Sequence, residues 1–214
     1  MSEFGYIPEA PEQSFGNNKG IFTPKDIYDL TRADKYTNYG QLELIETQTV
    51  SGTPTTINFT SIKENIYNVH FMTYNNMHGQ SSTAQDMGAR VSNDSGSTYE
   101  SSNYQYANQD GRSDGTFAEV RSTSGNRFMI APDLDNETNA SLNGYIYFYN
   151  LGDSTKYSFV TDHNFIFQSA VGGRFRLGSS VYTVAETINA IQLMTSVGGG
   201  FSNGVASLYG IRYS

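Results

Sequence analysis

Beyond residue 40 the apolar side chains of this chain recur at every second position in short runs. Only strands, whose side chains alternate between two faces, turn such a period into a buried surface. In QLELIET, Leu42 and Leu44 point one way and Glu43 the other; in TTINFTSI, Ile57 and Phe59 share a side. In NIYNVHFMTY, Tyr67, Val69 and Phe71 share one face and Asn68, His70 and Met72 the other, a strand with one wet and one dry side. LNGYIYFYNL alternates Ile146 and Phe148 with Tyr145, Tyr147 and Tyr149. Both of its faces ask to be covered, one by a second sheet and the other by a neighbouring subunit.

The C-terminal third repeats the pattern in KYSFVTD, NFIFQS, GRFRLGS, AIQLMTS and VASLYGIRY, separated by DHN, VGG and VGGGFSNG turns. Arg174 and Arg176 oppose Phe175 and Leu177. Helical spacing is missing between the runs, so parallel βαβ units are disfavoured. The expectation is an all-β, antiparallel, jelly-roll-like β-sandwich of eight or so strands over residues 41–214. The chain's 16 Tyr, 13 Phe and 21 Gly suit strands and turns. The polar stretch 79–125 reads mostly as long surface loop, with strands near MGARVSN and GTFAEVRS.

A net charge of −8 disfavours phosphate backbones and anionic lipid heads, so neither nucleic acid nor membrane insertion is expected. With no cysteine there is no disulfide or thiolate site, and stability falls to packing or oligomerisation. No run of about 18 apolar residues and no basic, then apolar, N-terminal pattern occurs, which leads us to expect a soluble chain without a secretion signal.

Residues 1–40 break the strand pattern and read as an extended anchoring arm carrying one short helix. Thr23 is a good N-cap, Pro24 fits the first helical position and Asp26 lies at the positive end of the dipole. Phe22 and Ile27 are spaced for a hydrophobic staple. Phe4, Tyr6, Ile7 and Phe15 are candidate anchors for grooves on a partner, joined by Ile27, Tyr28 and Leu30 on the helix. A helix of about 12 residues is marginal alone and needs such a partner.

Chemistry is sparse. His70, His78 and His163 lack metal-site spacing and read as structural; no GxSxG elbow exists. GGGFSNG precedes a strand, so a hairpin turn is expected there and no phosphate loop. Asp133, Asp135, Asn136 and Glu137, and likewise Asp110 and Asp114, are oxygen ligands of the kind calcium takes, but without the 12-residue loop pattern they read as turn formers. No catalytic residue, cofactor or metal is expected. In STYESSNYQYANQ, Tyr99, Tyr104 and Tyr106 are candidate glycan contacts, each with a ring to stack and a hydroxyl to bond.

The run RVSNDSGSTYESSNY at 90–104, AIQLMTSVGGGF and the closing ASLYGI resemble a β-sandwich domain of virion structural proteins from marine tailed bacteriophages. Asn93, Asp94, Gly96 and Tyr99 fit its Asn-Asp-x-Gly-x-x-Tyr segment, Ile191 and Leu193 its late strand, Gly200 and Phe201 its turn, and Leu208 to Ile211 its last strand. The pre-terminal strand of such domains commonly carries a Trp after glycine, where this chain has Phe175. The resemblance implies a non-enzymatic protein on the virion exterior: a capsid decoration or head-fibre protein, or a short tail-fibre protein that meets host-surface glycans. Its expected partners are phage capsid or tail proteins and its own copies in a homo-oligomer such as a trimer.

Overall fold

A computed structural model describes residues 13–14, 17–18, 23–33, 42–81, 85–134, 136–137, 139–168, 172–196 and 199–211. The chain divides into two compact units, 1–40 with 214, and 41–213. In the first, β1 (Gln13–Ser14) pairs antiparallel with β2 (Asn17–Asn18), and α1 spans Pro24–Arg32. The helix starts where the local code puts it. Asp26 N–H donates to the Thr23 hydroxyl at 3.2 Å, and Thr23 N–H donates to the Asp26 carboxylate at 2.8 Å, a reciprocal capping box. Lys25 and Asp29 pair one turn apart, and no helix residue is buried. Of the anchoring candidates, Ile27 and Leu30 are half-buried and Tyr28 is exposed. Phe4, Tyr6, Ile7, Phe15 and Phe22 lie outside the described residues.

The second unit is an all-β sandwich of two antiparallel sheets. Its strands are β3 (Leu42–Thr49), β4 (Thr56–Phe59), β5 (Val69–Gly79), β6 (Gln85–Ser92), β7 (Tyr104–Arg112), β8 (Phe117–Gly125), β9 (Phe128–Leu134), β10 (Leu142–Tyr149), β11 (Ser158–Gln168), β12 (Gly172–Tyr182), β13 (Ala190–Thr195) and β14 (Phe201–Ile211). Eight of them form one sheet in the order β3-β14-β5-β10-β11-β12-β7-β8, and four the other, β4-β13-β6-β9. Between the sheets lies one core. Phe59, Ile62, Val91, Phe128, Ile191 and Leu193 meet Met72, Ile146, Phe148, Val160 and Leu208 there, all buried.

Twelve strands stand where eight or so were expected, because polar residues inside strands read as turns. Asp162, His163 and Asn164 sit in the middle of β11, and β7 crosses the stretch read as loop. The segment before Phe201 is no hairpin, since β13 and β14 belong to different sheets. Gly200 carries the crossing at φ 109°, and its N–H donates to the Thr195 hydroxyl at 3.1 Å.

Strand faces also differ from the simplest reading. Along β5, His70, Met72 and Tyr74 point inward while Phe71 faces out. Leu42 and Leu44 are exposed, and the Glu43 carboxylate between them accepts the Tyr67 hydroxyl at 2.6 Å. Tyr67 reaches this position because its ring lies flat over Gly210, where a Cβ would come within 2.3 Å of ring atoms.

Candidate interaction surface

The eight-stranded sheet turns one face to the core and the other outward, and the outward face is built from rows of side chains set by the strand register. One row carries Leu44, Tyr209, Phe71 and Tyr147, then Thr161, Ser179, Ala107 and Arg121 on the following strands. Phe71 is the centre of an aromatic cluster, 4.7 Å from Tyr147, 5.9 Å from Tyr145 and 6.1 Å from Tyr209 between ring centroids. Further along, Phe159, Phe165 and Phe167 of β11 and Leu177 of β12 are all exposed, Phe165 by 54%. Next to this ridge the face sinks into a groove of about 710 Å³, lined by Ala107, Ser179, Phe159, Val181 and Arg121. Its floor is low because the strands there carry small side chains.

The composition of this face is unlike that of the molecule. The chain holds 34 charged residues (13 plus 21), yet the outward positions of these strands carry only Glu119 and Arg121, paired with each other at 2.8 Å on edge strand β8. A large aromatic patch depleted of charge is the composition of the centre of a protein–protein interface. Tyr145, Tyr147 and Tyr149 of β10 lie together on this face.

The opposite face of the same strands is buried and ionic. The Asp110 carboxylate accepts from Arg176 at 2.6 and 3.1 Å and also from Arg174, which bonds Asp133 as well. Asp110 is thus a buried strand residue, not a loop ligand. Burial pushes its carboxyl up, but the guanidiniums of Arg176 and Arg174 outweigh that and hold it below its usual value. Asp162 is pushed up to about 8 by burial, with Arg176 pulling it only partly back. The Asn164 and Asn108 amides donate to the carbonyls of Ile130 and Met129, tying the two sheets together. Arg174 and Arg176 face inward while Phe175 and Leu177 face out, an inversion of the usual preference.

The remaining candidates have structural places. Tyr104 is fully buried against Phe128 and Tyr182; its hydroxyl accepts from Val91 N–H and donates to the Glu100 carbonyl, so it offers nothing to a glycan. Tyr99 lies half-buried with its hydroxyl against the position a Gly96 side chain would take, and Tyr106 borders the groove. The two are not brought into one platform with Tyr104. Asp94 accepts from Thr98 N–H, the Thr98 hydroxyl and the Ser92 hydroxyl, bonds that hold its carboxyl down to about 2. With Gly96 at φ 83°, the Asn-Asp-x-Gly segment is a self-capped loop.

His70 is buried with Nε2 2.8 Å from the Ile62 carbonyl, and burial pushes its pKa down to about 4. His163 is on β11, edge-on to Tyr145, rather than in a turn. Asp114 accepts Thr116 N–H in a turn, and Asp135 lies outside the described residues. Among the described residues no group of three His, Cys, Asp or Glu could hold a metal ion, and no helix is long and apolar enough to cross a membrane.

Fold and surface together define an all-β sandwich with an aromatic outer sheet face. No family model, curated protein or solved structure matches the chain.

Proposed function

We propose that this protein is a structural component of a tailed-bacteriophage particle, a capsid decoration or head-fibre protein held by its N-terminal arm, that works by being built into an assembly. The observation that carries this reading is the charge-depleted aromatic face: a chain that leaves such a surface open in solution invites aggregation, and one built into a particle does not. The resemblance of the turn and core motifs to those of marine phage sandwich domains adds support, Asp94 and Gly96 closing a loop and Ile191, Leu193 and Leu208 lying in the core. So does the capping box at Thr23, which preforms a helix whose residues are all left unburied.

Gold-labelled antibody against the sandwich should mark purified phage particles, with hundreds of copies per particle for a capsid protein and a few to a few tens for a tail fibre. Particles free of the chain would sink the proposal. Deleting residues 1–38 should abolish attachment while the sandwich stays folded.

A further inference from the structure

We infer that the outer face of the eight-stranded sheet is covered by the same face of a second copy of this chain, stacked about a two-fold axis that runs along the strands between β10 and β11. The inference rests on reading this face as an assembly surface and names its occupant. With strands about 4.8 Å apart, eight of them span about 34 Å, and strands of this length run about 30 Å, giving roughly 1,000 Å² per copy. A stable interface takes about 800 Å² from each partner.

Large side chains meet small ones across much of that face. The rotation sets each strand over the one equally far from the axis on the other side, so β5 meets β12 and β14 meets β7. Within each row of the register this places Phe71 over Ser179 and Tyr209 over Ala107, and in the next row Leu177 over Thr73. These pairs, and Tyr147 over Thr161, join a large side chain to a small one, while beside the axis Tyr145 meets His163 and Tyr149 meets Phe159, ring against ring.

Charge points the same way. Two copies at net −8 repel over most of their surface, and this face, whose only charges neutralise each other, is where they can approach. A ring trimer needs two contact surfaces inclined to each other, whereas a single sheet face supplies one and closes as a pair.

The test uses the full chain. Sedimentation velocity over a wide concentration range should give a dimer, and Ala107→Glu, a substitution at an exposed groove position, should give monomer with unchanged circular dichroism. Because the chain has no cysteine, Phe71→Cys and Ser179→Cys proteins can be mixed and oxidised; the mixture should form a covalent dimer well above either protein alone. A monomer at all concentrations, a trimer, or equal cross-linking in mixed and separate samples would overturn the two-fold pairing. If the chain is monomeric yet binds phage particles, and Ala107→Glu abolishes that binding, the particle covers this face. The assembly reading then stands while the self-pairing fails.

Discussion

Asp162→Asn should stabilise this protein, by an amount that depends on pH in a prescribed way. Asp162 is 5% exposed, and its carboxyl titrates near 3.8 when unfolded and at about 8 in the folded chain. Across that window folding takes up a proton. The stability it contributes is therefore complete below pH 3.8 and is lost, at about 1.4 kcal/mol per pH unit, as the pH rises toward 8. His70 runs the other way: its pKa falls from 6.5 to about 4, so its contribution is present above 6.5 and lost as the pH drops through 4. The two slopes offset each other between about 4 and 6.5, and from there to 8 that of Asp162 stands alone, so stability runs level and then declines.

An asparagine has the same shape and no proton to acquire. The difference between variant and parent isolates Asp162 and should be close to zero at pH 3.8 and grow to about 3–5 kcal/mol at pH 7, in favour of Asn. Urea unfolding at fixed protein concentration, followed by circular dichroism because the chain has no Trp, measures each point. A difference that does not change with pH, or an Asn variant less stable at pH 7, would mean that Asp162 is ionised beside Arg176 and would refute the reasoning.

Removing the anion shared by the buried cluster with Asp110→Ala strands the Arg176 guanidinium and leaves Arg174 only Asp133, and should cost about 3–5 kcal/mol, read as a drop in urea midpoint. Leu208→Ala empties a fully buried site for about 2–5 kcal/mol; a loss below about 0.5 kcal/mol would contradict its inward register. In Gly210→Ala the new methyl meets the Tyr67 ring, and thermal melts should show a loss of about 1–3 kcal/mol that Tyr67→Ala in the same chain largely masks. Thr23→Ala with Ile27→Ala removes the cap, worth about 1 kcal/mol, and an apolar anchor; particle attachment should weaken while the sandwich melts unchanged. A fall in the melting temperature would show instead that the arm braces the sandwich.

The sequence by itself settled what was local. Thr23, Pro24 and Asp26 specify the start of α1 through bonds that span three residues, and no distant contact is needed to form them. Period-two runs likewise specify strands, and Leu208, Ile191 and Phe148 land in the core as their spacing suggests. A period of two separates the two sides of a strand but carries no label for which side is inside, and on β3 and β12 the more apolar side is the outer one.

What assigned the sides was tertiary. Arg174 and Arg176 can be buried because Asp110, 64 and 66 residues away in the chain, arrives on the adjacent strand to neutralise them. The same pairing explains why β7 and the centre of β11 looked like loop: their inward residues are Asn108, Asp110, Asp162 and Asn164, whose polarity is satisfied only by partners on other strands. Tyr104 went from loop candidate to core for that reason. With the polar side turned inward and bonded, Phe71, Phe165 and Leu177 were left facing out. The aromatic face therefore arises where strands distant in sequence meet, through charge pairing that no single segment encodes.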